Sequence, residues 1–163
     1  MEPEPFALGP GEGQTVWSLG GRFTVKLEGD QSDKHYSVTE ALAFRSTEPP
    51  LHVHHKEHEA WYVLEGHMTF HVGGKKLEAG PGTFVFGPRD TPHTFTVDVE
   101  PTRVLVFASP SGFEQFALDL GHPGSGTETT PPDGLGMPPP EELGPVAMRY
   151  GIEVVGPPIR PHD

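Results

Sequence analysis

The sequence predicts an all-β fold, an antiparallel sandwich or barrel, on two grounds. Gly (21) and Pro (20) make up about a quarter of the 163 residues, a composition that long helices do not tolerate and that favours a turn-rich β protein. Between residues 14 and 108, short segments rich in β-branched and aromatic residues alternate with turn sequences such as "GGKK", "AGPG" and "GPRDTP". No helical pattern interrupts these segments, so neighbouring strands are expected to pair antiparallel.

The expected elements fall into three parts. Residues 1–13, rich in Pro, Gly and Glu, predict a flexible arm, and residues 14–108 predict the barrel. The expected strands of the barrel are TVWSL, RFTVKL, HYSVTEALAF, EAWYVLEG, HMTFHV, GTFVFG, HTFTVDV and TRVLVFA. Within "HMTFHV", Met68, Phe70 and Val72 alternate with polar residues, which is typical of a strand with one buried face.

Residues 109–163 predict a helical and Pro/Gly-rich extension that packs on the barrel. Ser111 and Glu114 have the spacing of a capping box, and apolar residues at helical spacing follow them. A second short helix is expected at residues 141–150. The sequence "GIEVVGPP" after it is expected to be extended.

Charge and composition exclude several classes of function. The chain has 11 basic and 23 acidic residues, a net charge of −12 at pH 7 and no cysteine. An acidic surface repels phosphate backbones and anionic lipids, so neither nucleic acid nor a membrane is expected as a partner. The lack of cysteine excludes disulfides and thiolate metal ligands. Because the chain also lacks the pattern of a signal peptide or a membrane span, it is expected to be cytoplasmic.

Four of the 10 histidines lie in "LHVHHKEH", directly before an apolar segment. If "LHVHH" is a strand, His52 and His54 point to one face, where two imidazoles can share one ion. Glu59 follows a short bend and can fold back beside them. His93, after a Pro-containing turn, is the natural fourth ligand. Three neutral imidazoles and one carboxylate suit a divalent Ni, Mn, Co, Fe or Zn ion and leave coordination positions open on an octahedral metal.

At these residues the chain resembles the cupin family. The first cupin motif contains His-x-His, three or four residues, Glu, six residues and Gly. Here His52 and His54 are followed by four residues, Glu59, six residues and Gly66. The shorter form of the motif would place the ligand at His58, but only Glu59 keeps six residues before Gly66. His58 is therefore not expected to be a ligand.

The stretch that begins at Gly82 resembles the second cupin motif, with Pro88 and His93 at the matching positions. Asp90 replaces a Gly of the motif and is expected to adopt a left-handed turn conformation. Val97 replaces an Asn that is not a ligand. The resemblance implies a cupin jelly-roll barrel, the double-stranded β-helix, with short C-terminal helices.

Other polar residues near the motifs are expected to lie outside the site. His55 falls on the opposite strand face from its neighbours. His67 and His71 alternate with the apolar face and are expected to be solvated, and Glu57 and Glu65 are expected to be surface charges. The histidines expected in loops or tails are His35, His122 and His162.

The barrel interior is expected to be apolar and strongly aromatic. The residues expected there are Trp61, Val63, Met68, Phe70 and Val72, with members of Phe44, Phe84, Phe86, Phe95 and Phe107. Such a cavity suits a planar apolar ligand with a few oxygens that reach the metal. Few basic residues lie near the motifs, which disfavours a sugar phosphate as the substrate.

The segment from His52 to Gly74 and the sequence "AMRYGIEVVGPP" resemble the single-domain cupins related to bacterial quercetin 2,3-dioxygenases. This resemblance implies a metal-dependent dioxygenase that opens the heterocyclic ring of a flavonol, or of a related phenolic enol, with O2. Glu59 would be both a metal ligand and the catalytic base, which requires a pKa raised by a dry pocket. The alternatives are a redox-neutral isomerase or cyclase and a non-catalytic, metal-dependent small-molecule binding or sensing protein. A homodimer is expected, because cupin relatives often exchange N-terminal strands and edge strands need covering.

Overall fold

The computed structural model describes residues 2–160 and contains, within that range, ten strands and two α-helices. The strands are β1 (Gln14–Ser18), β2 (Gly21–Leu27), β3 (Ser37–Ala43), β4 (Leu51–His54), β5 (His58–Val72), β6 (Lys75–Ala79), β7 (Phe84–Gly87), β8 (His93–Ser109), β9 (His122–Pro123) and β10 (Ile152–Gly156). The helices are α1 (Phe113–Asp119) and α2 (Pro140–Arg149). His162 lies outside the described residues. None of the helices between residues 2 and 160 is long and apolar enough to cross a membrane.

The strands pair antiparallel in the order β10-β4-β8-β3-β2-β1-β9, and β5 pairs with β6, β7 and β8. This arrangement confirms the all-β jelly-roll with two short helices near its C-terminal end. The two longest strands, β5 with 15 residues and β8 with 17, run beside each other. The register of this pair shifts between Val63 and Met68. Because such shifts bend a strand pair, β5 and β8 can each belong to both layers of the jelly-roll.

The strand predictions differ from the structure at β5, β6 and β8. Two expected strands, "EAWYVLEG" and "HMTFHV", form the single strand β5 because Gly66 does not end it. Gly66 has φ 90, and a Cβ there would come within 2.2 Å of Thr102 Oγ1. A glycine at the bend therefore lets β5 and β8 cross closely without a break. Strand β6 was not expected, and the turn expected at "GGKK" includes its first two residues, Lys75 and Lys76.

The inner layer is formed by the side chains that the alternation of β5 predicts. Trp61, Val63, Met68, Phe70 and Val72 are all buried, which confirms that part of the expectation. The set of expected inward phenylalanines is correct only in part. Phe95 packs against this core, and Phe44, half-buried, contacts the ring of Trp17.

Phe84 and Phe86 were candidates for the interior and are exposed instead. In β7, Val85 is buried and its two neighbours point outward. Phe107 lies between the buried residues Val106 and Ala108 of β8 and also points outward. Aromatic character alone does not determine which face of a strand is buried; the parity of the strand does.

The extension after residue 109 covers one end of the barrel. Its helix α1 begins after Gly112, whose N–H donates to Glu114 Oε2 at 2.8 Å. Ser111 is not the cap residue, so the expected capping box is absent. Helix α2 matches its expected range to within one residue, and β10 pairs antiparallel with β4. The domain boundaries at residues 13 and 108 stay predictions.

Candidate metal centre

The structure brings the four expected ligand residues together at one end of the barrel. His52 and His54 lie on β4, Glu59 is the second residue of β5, and His93 is the first residue of β8. The pairing of β4 with β8 sets His52 opposite His93. One ligand atom from each of the four residues lies within 4.8 Å of the other three. Three of the residues are buried and His52 is half-buried.

Each of the three imidazoles is oriented by a hydrogen bond at Nδ1. The acceptors are the Pro50 carbonyl oxygen for His52 (2.8 Å), Glu57 Oε1 for His54 (2.7 Å) and the Thr91 carbonyl oxygen for His93 (3.0 Å). Carbonyl and carboxylate oxygens only accept, so Nδ1 carries the hydrogen in each ring. In the neutral imidazoles Nε2 is therefore left with a lone pair, as in a metal ligand.

The donor atoms fit a metal ion. Glu59 Oε2 lies 2.9 Å from His93 Nε2 and 3.1 Å from His54 Nε2. With neutral rings, these contacts set lone pairs against a carboxylate in a buried site, which requires a cation between them. A proton or a metal ion can fill this role, and three nitrogens with one oxygen are a suitable set for a divalent transition metal.

The histidines of the cluster lower the pKa of Glu59, whereas a raised pKa was expected. Burial raises the pKa of Glu59, but His54 and His93 outweigh this effect and lower it to about 2. The expectation of a raised pKa is therefore wrong for this environment, because the pocket is dry but lined by imidazoles. Burial lowers the pKa of His52 to about 3, and the neighbouring His93 and His54 act in the same direction.

Glu57 is a residue of the site that the sequence reading missed. It was expected to be a surface charge, but only 2% of it is exposed and it accepts the hydrogen bond from His54. The alternation of buried residues in the following strand, β5, indicates that Glu57 is buried. Glu57 has the same parity as Glu59, Trp61 and Val63, which are all buried, so alternation extended by two residues would have placed it inside.

The other nearby histidines do not face the centre, as expected. His55 is exposed and lies between Asp90 Oδ1 (2.7 Å) and Glu153 Oε2 (2.8 Å). Asp90 has φ 63, which confirms its left-handed conformation. His58 lies on the outer face, with its ring 5.6 Å from that of Phe86.

Two further expectations concern the distal half of β5. His67 is half-buried rather than fully solvated, because its Nδ1 lies 2.7 Å from Asp98 Oδ2. Glu65 is an exposed surface charge, as expected, and pairs with Arg103 at 3.1 Å. Neither residue contacts the cluster of potential ligands.

A cavity of about 90 Å³ adjoins the four potential ligand residues. Its walls combine barrel residues, such as Trp61, Met68 and Phe95, with Phe113 and Leu143 of the two helices. Pockets for drug-sized ligands have volumes of about 300–1,000 Å³. The extension therefore reduces the space beside the cluster to a size below that of a typical ligand pocket.

Comparison with known proteins agrees with this architecture. Residues 38–108 match the Cupin domain family model. Quercetin 2,3-dioxygenase of Bacillus subtilis (strain 168) is 27% identical over 122 residues, which are 75% of this chain and 36% of that protein. The chain thus matches about a third of the length of that relative.

Two solved structures share the fold. KdgF from Halomonas sp. superposes with a TM-score of 0.59 and 16% identity, covering 69% of this chain and 98% of KdgF. The polyketide cyclase RemF from Streptomyces resistomycificus superposes with a TM-score of 0.54 and 25% identity, covering 66% of this chain and 81% of RemF. Residues 38–108 thus match a cupin domain within a jelly-roll fold, and the sequence similarity supports a resemblance of the chain to small cupins related to quercetin 2,3-dioxygenases.

Proposed function

We propose that this cupin is a metal-dependent dioxygenase that opens the ring of a flavonol, or of a related phenolic enol, with O2. The observation that supports this most directly is the cluster in which His52, His54 and His93 aim Nε2 at a point beside Glu59. The sequence similarity to a quercetin 2,3-dioxygenase supports the choice of a small, apolar, oxygenated aromatic as the substrate. The same four residues would hold the metal.

The protein supplies orientation and a dry environment. A divalent transition metal, when bound, would hold a deprotonated substrate hydroxyl and stabilise negative charge that develops on oxygen. The Nδ1 hydrogen bonds fix the rings of His52, His54 and His93, so that little reorganisation is needed when the site binds its ligands. Trp61 and Phe95 offer apolar surface beside the cluster, where an aromatic substrate can pack.

Glu59 is the group that would accept the proton of the substrate hydroxyl. A pKa of about 2 keeps its carboxylate ionised across the neutral range, which is the correct state for a proton acceptor. The same low pKa makes Glu59 a weak base, because proton transfer is most efficient when the pKa of the base is near the working pH. The site therefore favours a substrate whose hydroxyl is itself acidic, as an enol or phenol is.

The size of the cavity adds a requirement to this proposal. A flavonol has three rings, and the space beside the cluster is about 90 Å³, below the usual range for ligands of that size. Phe113 and Leu143 lie on the side of the cavity that the extension covers. Binding of the substrate would therefore involve movement of α1 and α2 away from the barrel.

Oxygen consumption with quercetin tests the proposal. Protein loaded in turn with Ni, Co, Mn, Fe or Zn should take up O2 above a metal-only blank and release carbon monoxide. His54→Ala should lose this uptake, while His58→Ala, a change at an outward-facing histidine four residues away, should keep it. Absence of uptake with all five metals and with related phenolic enols would overturn the dioxygenase assignment.

A redox-neutral reaction is the second candidate, and the similarity to a polyketide cyclase supports it. The low pKa of Glu59 also suits a site that polarises a carbonyl and needs no strong base. Such an enzyme would convert a polyketide or phenolic substrate under strict exclusion of O2, with no change in oxidation state. Saturable ligand binding without turnover under either atmosphere would instead indicate a binding or sensing protein.

A further inference from the structure

The cavity beside the metal cluster has few hydrogen-bonding side chains apart from the four potential ligands. We refer to its other lining residues as the cavity wall. Within residues 2–160, the polar side chains of the cavity wall are those of Thr47 and Trp61, and the wall contains neither lysine nor arginine. Its other members are aliphatic residues, prolines, methionines and phenylalanines. Because a polar group buried without a partner weakens binding, this wall limits the groups that a ligand can carry.

The two polar side chains of the cavity wall offer little to a ligand hydroxyl. Thr47 Oγ1 donates to the carbonyl oxygen of Gly20 at 3.0 Å and accepts from the backbone N–H of Phe44 at 2.9 Å. The indole N–H of Trp61 donates and cannot accept, and the thioether sulfurs of the methionines are weak acceptors. Among the side chains that the structure describes, the cavity wall therefore holds no free strong acceptor for the proton of a hydroxyl.

Two consecutive prolines of the cavity wall have their backbone oxygens in use. The carbonyl oxygen of Pro50 accepts from His52 Nδ1 at 2.8 Å, and that of Pro49 accepts from Thr94 Oγ1 at 2.8 Å. Proline has no backbone N–H, so these residues add no donor either. This side of the cavity is thus also poor in groups that could pair with a polar substituent.

The remaining polar atoms of the cavity form one compact patch. One ligand atom from each of the four potential ligand residues lies within 4.8 Å of the other three. Aromatic side chains lie directly beside this patch, with the ring of Trp61 5.4 Å from that of His93 and the ring of Phe113 6.3 Å from that of His54. A ligand can therefore pair its oxygens along the single edge that faces the patch.

We propose that this cavity selects an enol or phenol whose oxygens all lie on one edge and whose remaining surface is hydrocarbon. The inference rests on the proposed function, because it narrows the substrate class of the same site. Quercetin carries further hydroxyls on both of its outer rings, and these would be buried against apolar side chains. A carboxylate, phosphate or sulfate group in that position would also lack a counter-ion. Oxygen-poor enols are thus better substrates than quercetin.

Met137 is a position in the cavity wall at which this selectivity can be changed. It precedes α2, is half-buried and packs against the core of the barrel. Glutamine is similar to methionine in length, and its amide oxygen would give the wall a strong acceptor. Met148 allows the same replacement as a matched control, since it lies on α2, is 63% exposed and does not line the cavity.

Three hydroxypyranones with the same ring and the same pair of chelating oxygens test the proposal. On the far side of the ring, allomaltol has a methyl group, kojic acid a hydroxymethyl group and comenic acid a carboxylate. Calorimetry with Zn-loaded protein measures their binding without turnover, because Zn has no redox chemistry. Allomaltol should bind about 5- to 100-fold more tightly than kojic acid, and comenic acid should bind most weakly. The Zn content after each titration shows that the metal has stayed in the protein.

The two methionine variants test whether the cavity wall produces this order. Met137→Gln should bring the dissociation constants of allomaltol and kojic acid closer together, because the new amide oxygen can accept from the hydroxymethyl group. Met148→Gln should keep the wild-type ratio. Circular dichroism of both variants, with a native spectrum, shows that the fold is intact. A ratio that Met137→Gln leaves unchanged would overturn the proposal, as would equal affinities of the wild type for the three compounds or binding of none of them.

Oxygen consumption separates this inference from the proposed function. The kcat/KM of the dioxygenase should be higher for 3-hydroxyflavone, which lacks the further hydroxyls, than for quercetin. Equal values for the two flavonols would overturn the inference and leave the dioxygenase assignment standing. Selective binding of allomaltol, with no O2 uptake from any enol, would support the inference and overturn the dioxygenase assignment.

Discussion

The orientation of each of the three potential ligand histidines depends on a single hydrogen bond at Nδ1, and the acceptors are not equivalent. His52 and His93 donate to backbone carbonyl oxygens, whereas His54 donates to the carboxylate of Glu57. A hydrogen bond to a carboxylate is charge-assisted and makes the imidazole a better donor to a metal. The buried position of Glu57 keeps this bond out of competition with water. His54 is therefore expected to be the strongest nitrogen ligand of the three.

Replacement of Glu57 tests this role. Glu57→Gln keeps the size of the side chain and an oxygen that can accept from His54, but it removes the charge. The affinity for a divalent metal should fall by about 10- to 100-fold, as measured by competition with a chelator of known affinity. Glu65→Gln, the same change at an exposed site, should leave the affinity unchanged. Equal affinities for both variants would contradict the positioning role of Glu57.

The state of His54 also predicts how metal binding depends on pH. Burial lowers the pKa of His54, but the carboxylates of Glu59 and Glu57 outweigh this effect and raise it above the ordinary value. Below that raised pKa, the metal-free site holds a proton on His54 that the metal must displace. The apparent affinity should therefore increase with pH up to the pKa of His54 and level off above it. Calorimetry in buffers of different ionisation enthalpy should detect about one proton released per metal below that pKa; no release would contradict the assignment.

The potential ligands could be predicted from the sequence because spacing and strand parity are local properties. His52 and His54 are two residues apart on one strand, and Glu59 keeps its distance from Gly66. The alternation of β5, extended back by two residues, indicates that Glu57 is buried, but it does not show that Glu57 accepts the hydrogen bond from His54. That contact depends on how β4 and β5 pack together, and this packing is a tertiary effect.

At the scale of elements, the two helices and β10 determine how open the site is. Leu143 and Ala147 of α2 are buried and line the cavity, with Ile152 at the start of β10. Phe113 of α1 lies with its ring 6.3 Å from that of His54. The extension therefore contributes to the core and covers the cluster at the same time, so changes in it affect both stability and access.

Leu143→Ala tests how much the buried face of α2 contributes to the stability of the fold. Removal of a buried leucine side chain costs the transfer free energy and leaves a cavity, about 2–5 kcal/mol in well-packed cores. A loss of about 2–3 kcal/mol in the free energy of unfolding is expected here, because Leu143 already faces a cavity. Met148→Ala, at an exposed position of the same helix, should change it by less than about 0.5 kcal/mol. Urea denaturation measures both, and similar values would show that α2 does not pack as described.

Alternation of apolar residues predicts the buried face of a long strand but not that of a short one. Alternation predicted Trp61 and Phe70 inside because each half of β5 has its own inward row, at odd-numbered positions before the register shift and at even-numbered positions after it. The four-residue strand β7 gave no comparable constraint, and Phe84 and Phe86 point outward although their aromatic character suggested the interior. Short strands do not fix their own register, which depends on the partner strand.

At the scale of the whole molecule, metal binding and folding should be coupled. A ligand that binds only the folded state stabilises it by about 2.7 kcal/mol at a free concentration of 100 times its dissociation constant. For a chain of this size, that corresponds to a rise of about 5–10 °C in the midpoint of thermal unfolding. Scanning calorimetry with and without a divalent metal should detect this rise, and a chelator should reverse it.

Two variants test whether the stabilising ion binds at the cluster of three histidines and one glutamate. His93→Ala should lose most of the metal-dependent rise, because His93 is buried within the cluster. His71→Ala, which removes a half-buried histidine with no place in the cluster, should keep it. An equal rise in both variants would mean that the stabilising ion binds somewhere else.

The position of β10 gives the end of the chain a protective role. It pairs with β4 at the margin of the sheet, alongside the backbone of His52 and His54. Unpaired strand margins are templates for association with other chains, and natural proteins keep them covered. A premature stop codon before Ile152 would therefore yield an aggregation-prone product that precipitates in the cell, although His52, His54, Glu59 and His93 would all still be encoded.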